Sequence, residues 1–198
     1  TCQYSREEIV RIAKKGFEYA QKRSKKLCCV DKANVLETSR LWRETVQSME
    51  KDYPEIEVSY EFVDAVAMRL IQWPSSYDVL ITSNLFGDIL TDEASVISGS
   101  MGLMPSASIG LENALYEPIH GSYPEATGKQ IANPIASILS LSMMLEYSFN
   151  LKDESQIINS AVEESLANRY TTPDLSIDNK AFSTKEVGDY IVDFIKKS

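Results

Sequence analysis

The stretch Asp78-Val-Leu-Ile-Thr-Ser-Asn-Leu-Phe-Gly-Asp-Ile-Leu-Thr-Asp-Glu-Ala-Ser95 decides the fold class of this chain. Residues 78–82 are a short apolar run, which predicts a buried strand, and residues 84–98 have the apolar spacing of a helix. A buried strand followed at once by a helix is the repeating unit of α/β proteins. We therefore expect the same unit elsewhere in the chain.

The alternation of helix and strand continues on both sides of this stretch. Before it, we predict helices over residues 5–23, 37–51 and 64–72 and strands over 26–30 and 57–63, the first helix starting at the capping box Ser5–Glu8. After it, a strand is predicted around Ala107 and helices over 134–147, 154–168 and 184–196. The first of these helices has Asn133 as N-cap, and the last follows the capping box Ser183–Glu186. We place a domain boundary near Gly99, which divides the α/β chain into residues 1–98 and 99–198.

Composition excludes several classes of function. The 198 residues are 43% hydrophobic and 25% charged, which is globular, and the net charge of −9 disfavours nucleic acid or an anionic membrane as partner. Residues 135–145, the most apolar stretch, are too few to cross a bilayer. Three cysteines, two of them adjacent, make a poor disulfide framework, so we expect a reducing, cytoplasmic location. The chain opens at Thr1 and not at Met, which indicates a processed or truncated protein.

Two aspartates on the predicted helix 84–98 form the clearest candidate for chemistry. Asp88 and Asp92 are four residues apart, so their carboxylates share one helix face. Two adjacent like charges repel unless a cation lies between them, and carboxylates suit a hard divalent cation such as Mg²⁺. A single histidine, His120, with scattered thiols argues against zinc. The alternative interpretation is a solvated acidic face.

Three further side chains are candidates on weaker grounds. Lys32 lies just beyond a predicted buried strand, where α/β enzymes carry active groups, although most loop lysines are merely exposed. Asp64 follows a predicted strand and opens a helix, so by position it is also an N-cap. Tyr4, before the first helix, is by itself an ordinary surface tyrosine.

The loop from Glu117 to Pro134 resembles a phosphate-binding loop only in part. Gly128-Lys129 is followed by Gln130 where that motif has Ser or Thr, and the sequence contains no GxGxxG. A glycine- and proline-rich loop of this kind can wrap a nucleotide, and it can equally be a structural turn.

Together these segments resemble the β-decarboxylating dehydrogenases, the family of the isopropylmalate, isocitrate, homoisocitrate and tartrate dehydrogenases. The motifs that carry the resemblance are VDKANVLETSRLWRETV, YEFVDAVAM, NLFGDILTDEAS, LMPSASIG and EPIHGSYPEATGKQIANP. They occur in this order, the resemblance extends from Tyr4 to the last predicted helix, and the segment after Lys32 looks most like the isopropylmalate branch.

The resemblance implies a fold of two α/β domains with the active site between them. Residues 1–98 would belong to the dimerising domain, and residues 99–198 would be the C-terminal half of the NAD-binding domain. The N-terminal half of the family's chain is missing here, including the arginines that bind the substrate carboxylates, so this chain alone is expected to be inactive.

The resemblance also implies a role for each candidate residue. Tyr4 and Lys32 match the catalytic tyrosine and lysine, and Asp64, Asp88 and Asp92 match the aspartates that hold Mg²⁺ or Mn²⁺, Asp64 also touching substrate. Lys32 and Asp64 would act in the site of the partner in a homodimer. The residues matching the loop that holds the adenosine of NAD are His120, Gly121, Ser122, Tyr123, Pro124, Glu125 and Asn133.

The function that the resemblance implies is NAD- and metal-dependent oxidative decarboxylation of 3-isopropylmalate, a small molecule, in leucine biosynthesis. The alternatives are another substrate of the same family or a non-catalytic dimerising fragment.

Overall fold

The computed structural model describes residues 2–177 and 180–198. It divides into two compact units, Thr1–Ala94 and Ser95–Ser198, so the division falls shortly before the boundary predicted near Gly99. In the described part of the chain, no helix is long and apolar enough to cross a membrane.

The first unit is built on a parallel sheet of three strands. The strands are β1 (Lys26–Asp31), β2 (Glu57–Phe62) and β3 (Val79–Thr82), in the order β2-β1-β3. The helices are α1 (Arg6–Lys22), α2 (Glu37–Met49), α3 (Val63–Gln72) and α4 (Asn84–Ser98), the last of which runs across the division between the units. The predicted α/β alternation is confirmed.

Apolar side chains cover both faces of this sheet, and adjacent residues of β1 serve opposite faces. Cys29 packs in one core cluster with Phe17 and Trp42 of α1 and α2, whereas Cys28 packs in another with Val66 of α3 and Leu90 of α4. Both thiols are free and buried, and burial raises the pKa of Cys28 to about 11. These cysteines are therefore core residues.

The second unit combines a hairpin with three helices. Strands β4 (Pro105–Ile109) and β5 (Ala114–Pro118) pair antiparallel, and the helices are α5 (Ile135–Phe149), α6 (Lys152–Ala167) and α7 (Thr184–Ile195). Strand β5 was not predicted. The buried cluster of this unit comprises Ile135, Ala161, Val162, Val187 and Ile191.

Helix starts confirm two capping boxes and correct two other expectations. Ser5 and Ser183 each cap a helix reciprocally with a glutamate three residues later. The N-cap interpretation of Asp64 is wrong, because Phe62 is the N-cap of α3 and Asp64 lies in its first turn. The N-cap of α5 is Pro134, one residue after the predicted Asn133, whose side chain nevertheless accepts a hydrogen bond from the amide of Ile135 at 3.0 Å.

Candidate active site

The carboxyl ends of the three parallel strands lie at one edge of the sheet, and each strand runs directly into a segment with a candidate residue. Lys32 follows β1, Asp64 lies two residues beyond β2, and α4 with Asp88 and Asp92 follows β3. In open α/β sheets this is the edge at which ligands bind. The topology of the first unit thus collects the candidates at its expected binding edge.

Lys32 and Asp64 are in direct contact. The Nζ atom of Lys32 donates to Oδ1 of Asp64, and this hydrogen bond lowers the pKa of the Asp64 carboxyl below its ordinary value. The side chain of Asp64 is 66% exposed and that of Lys32 is 25% exposed. An ion pair this exposed adds little to stability, and the carboxylate of Asp64 is open to solvent.

The carboxylates of Asp88 and Asp92 are carried on α4, one helical turn apart. Carboxylate oxygens are the donors that a hard divalent cation takes, so the chemistry of this pair fits the predicted metal. Among residues 2–177 and 180–198, however, no three His, Cys, Asp or Glu side chains group closely enough to hold an ion. Within one chain, Asp64 therefore does not join this pair, and its contribution from a partner subunit stays a prediction.

Tyr4 is half-buried beside α2 and is not the freely exposed tyrosine that its position alone suggests. Its ring meets that of Trp42 edge-on, with the centroids 5.6 Å apart and the planes at 79°. It also lines a cavity of about 300 Å³ together with Asp31 and with Leu85 and Phe86 from the first turn of α4. The structure thus brings Tyr4 to the start of the helix that carries Asp88.

A larger groove of about 660 Å³ in the second unit collects most of the residues predicted to hold adenosine. Those that line it are His120, Gly121, Ser122, Tyr123 and Asn133. Pro124 and Glu125 are exposed on the adjoining short 3-10 helix Pro124–Ala126. The imidazole Nδ1 of His120 lies 3.0 Å from the carbonyl oxygen of Gly121, which ties the ring to its own loop.

One glycine and one aspartate shape this groove, and sequence reasoning missed both. A Cβ atom on Gly102 would lie 2.6 Å from Cβ of Asn133, so only glycine allows the two segments to approach this closely. Asp174 accepts a hydrogen bond from Nδ2 of Asn133 at 3.1 Å and another from the hydroxyl of Ser100. Because Asp174 lies 41 residues from Asn133, no local motif connects them.

The first unit likewise holds an ion pair that sequence reasoning missed. Asp31, at the end of β1, is 1% exposed and forms a bidentate ion pair with Arg43 of α2. The only sequence signal was a charged residue at the end of an apolar run.

Similarity to known proteins shows the family to which this chain belongs. The family model described as isocitrate/isopropylmalate dehydrogenase matches residues 1–191, and the chain belongs to this family. Proteins named 3-isopropylmalate dehydrogenase from Bacteroides fragilis and Aquifex aeolicus are 55% and 51% identical to it over 100% of the chain. The chain spans 56% and 54% of their lengths, about half of each.

Solved structures agree with this family. The structure of an isocitrate dehydrogenase from Methylococcus capsulatus has a TM-score of 0.94 and 39% sequence identity, and the match covers 99% of this chain and 58% of that protein's chain. The structure of a beta-decarboxylating dehydrogenase from Thermococcus kodakarensis has a TM-score of 0.87 and 36% sequence identity, and the match covers 98% of this chain and 57% of that protein's chain. The α/β fold class of this family, expected from the resemblance, is therefore confirmed, over about half of the length of these structures.

Proposed function

We propose that the protein containing this chain catalyses the NAD-dependent and divalent-metal-dependent oxidative decarboxylation of 3-isopropylmalate, a step of leucine biosynthesis. The observation that carries the proposal is the contact of Lys32 with Asp64 at the carboxyl edge of the parallel sheet. The names of the relatives at 51% to 55% identity favour isopropylmalate over isocitrate, since the isocitrate dehydrogenase structure is 39% identical.

In this proposal two residues move protons. The amine of Lys32 accepts the proton of the C2 hydroxyl while C2 loses a hydride, and the phenol of Tyr4 donates a proton to C3 after carbon dioxide has left. A general base or acid must lie within hydrogen-bond distance of the proton that it transfers. Lys32 meets this requirement if substrate binds at the carboxyl edge of the sheet, because Lys32 follows directly on β1. NAD, when bound, supplies the hydride acceptor.

The metal site of the proposal consists of Asp88 and Asp92 with Asp64 from the partner subunit. The carboxylates of α4 supply oxygen donors, and an Mg²⁺ or Mn²⁺ ion held there would supply Lewis-acid stabilisation of negative charge on the substrate. Substrate and water would complete the coordination, because a hard divalent cation of this kind takes about six oxygens.

The proposed homodimer would give Lys32 and Asp64 to the partner's site. Exposed apolar side chains on α3 and α4 support such an interface: Met68, Ile71, Leu85 and Ile89 are each more than half exposed. Covering these side chains in a dimer would remove their apolar surface from water, which favours association.

The adenosine half of NAD would lie in the groove of His120 and Asn133. Glu125, beside that groove, carries a carboxylate that accepts hydrogen bonds from a ribose 2′-hydroxyl and repels a 2′-phosphate. We therefore propose NAD and not NADP as cofactor.

The test is a turnover assay of the full-length protein with isopropylmalate, isocitrate, homoisocitrate and tartrate, each with NAD and with NADP. The expected result is NADH formation with isopropylmalate that stops when a chelator is added and resumes with Mg²⁺. Faster turnover of another of these acids would reassign the substrate within the family. Absence of turnover with all four would favour a non-catalytic dimerising protein.

A further inference from the structure

The turn that carries Lys32 is fastened to α2 by an ion pair between the buried Asp31 and the half-buried Arg43. Arg43 donates from Nε to Oδ2 of Asp31 at 2.7 Å and from Nη2 to Oδ1 at 3.0 Å. Asp31 is 1% exposed, so its carboxylate has lost its hydration, and the two hydrogen bonds from Arg43 replace most of the lost interactions with water. The residue next to the candidate base is therefore held in one orientation.

Hydrogen bonds also fix the backbone of Lys32 and Ala33. Oδ1 of Asp31 accepts from the amide of Ala33 at 2.8 Å, and Arg40 of α2 donates from Nε to the carbonyl of Ala33 at 3.0 Å. The amides of Val35 and Leu36 both donate to the carbonyl oxygen of Lys32 at 2.9 Å. Little freedom is left for the peptide groups from which the Lys32 side chain extends.

The aromatic ring of Phe62 connects Arg43 with Lys32. The guanidinium carbon of Arg43 lies 5.2 Å from the centroid of that ring, and Nζ of Lys32 lies 5.6 Å from it. Phe62 is the last residue of β2, two residues before Asp64. The same ring therefore packs against the cation that anchors the turn and against the ammonium that contacts Asp64.

Stability alone gives no reason for this arrangement. Replacing a buried ion pair by well-packed apolar residues commonly leaves stability unchanged or improves it. A planar arginine fork against a carboxylate fixes geometry more tightly than a lysine does, and catalysis requires fixed geometry.

We propose that Asp31, Arg43 and Arg40 are positioning residues for Lys32, directing its amino group towards Asp64 and the reacting hydroxyl of substrate. This inference rests on the proposed role of Lys32 as the base. In this proposal Asp31, Arg43 and Arg40 act through the turn, by fixing the backbone from which the Lys32 side chain extends.

The test compares two ion pairs at opposite edges of the same sheet in the full-length protein. Asp31→Asn and Arg43→Lys disturb the pair at the carboxyl edge, and Asp78→Asn disturbs the pair of Asp78 with Arg23 before β3. We expect kcat to fall about 10- to 100-fold in the first two variants, with KM changed less than about threefold, because a misplaced base affects the chemical step and not substrate binding.

Arg43→Lys is the informative conservative change, because it keeps the charge and removes the fork. The control Asp78→Asn is expected to keep wild-type kcat per folded protein at a comparable loss of thermal stability. Wild-type kcat in Arg43→Lys, or an equal loss of kcat in Asp78→Asn, would overturn the inference.

Hydrogen exchange separates this inference from the proposed function. In Asp31→Ala the amide of Ala33 loses its acceptor, so it is expected to exchange at least about tenfold faster. If Asp31→Ala does not fold, the same increase is expected in Arg43→Lys, where the acceptor is held less firmly. Asp78→Asn should leave it unchanged. A wild-type protein without isopropylmalate turnover would remove the proposed function, while unchanged exchange at Ala33 would remove the positioning role.

Discussion

The two units of the chain carry their candidate residues on different kinds of structure. In Thr1–Ala94 the charged candidates follow the carboxyl ends of parallel strands or lie on the helix behind one of them, and Tyr4 precedes α1. In Ser95–Ser198 they lie in loops and a short 3-10 helix that line a groove. The first arrangement follows from topology, because all parallel strands end at one edge, whereas the second follows from loop contacts that no repeating pattern describes.

The difference teaches how each site responds to mutation. At the strand ends, candidate side chains such as Asp64 are exposed and the backbone beneath them is held by a regular sheet. In the groove, a single glycine and a single aspartate determine where Asn133 lies. We therefore expect substitutions at the strand ends to remove a reactive group without displacing the backbone. Substitutions of the residues that shape the groove should instead displace its binding surface.

The largest effect is expected from Asp92→Asn in the full-length protein. Loss of one carboxylate weakens the hold on a divalent cation, and Lewis-acid stabilisation is worth several kcal/mol, so turnover should fall about a thousandfold. A higher concentration of Mg²⁺ should restore part of the lost turnover. The control is Asp189→Asn, an exposed helical aspartate of the second unit that pairs with Lys185. Full activity of Asp92→Asn in the presence of chelator would contradict the metal site.

A smaller effect is expected from Gly102→Ala in the groove. The new methyl group would lie 2.6 Å from Cβ of Asn133, which is closer than non-bonded carbon atoms approach, so the segment that carries Asn133 must shift. We expect KM for NAD to rise about tenfold with kcat nearly unchanged, because loss of uniform binding raises KM alone. Gly188→Ala in α7 is the matched control, since nothing lies within 4 Å of its Cβ. An unchanged KM in Gly102→Ala would place adenosine elsewhere.

Much of the fold was predictable because its elements obey simple periodicities. The apolar run before Asp31 and the capping boxes at Ser5 and Ser183 each determined an element to within a residue or two. Strand β5 escaped prediction because its side chains are mostly exposed and its pairing with β4 is a tertiary contact. An exposed strand of this kind has no strong apolar alternation to read.

The candidate site was predictable only where one segment contains all the information. Asp88 and Asp92 share a helix, so their spacing alone places them on one face. The pair of Asp31 with Arg43 and that of Asn133 with Asp174 join separate elements, and no sequence rule says which aspartate meets which partner. The roles of His120 and Tyr123 came from the resemblance and remain predictions.

Acid should destabilise the first unit through Asp78. Hydrogen bonds from Ser24 and Arg23 lower the pKa of this carboxyl to about 2, from an ordinary value of 3.8. Because the folded pKa is the lower one, the stabilisation is fully present above about pH 4 and is lost as the pH falls towards 2. Asp78→Asn should therefore flatten the pH dependence of unfolding between about pH 4 and pH 2, measured by urea titration. An identical slope in wild type and variant would show that Asp78 is not the group responsible.

The smallest effect is expected at the two capping boxes, which offer the same chemistry once in each unit. Ser5→Ala and Ser183→Ala each remove a side-chain oxygen that accepts a backbone amide at 3.3 Å, and such a loss costs about 1 kcal/mol. If the units unfold separately, Ser5→Ala lowers only the transition of Thr1–Ala94, and Ser183→Ala only that of Ser95–Ser198. Hydrogen exchange read segment by segment during a denaturant titration would assign each transition. We expect two such local effects, because the hydrogen bonds of each capping box stay within the start of one helix, and each helix belongs to one unit. Equal lowering of both transitions by either variant would mean that the chain unfolds as one cooperative body, and the contrast between the units would then hold for their sites and not for their stability.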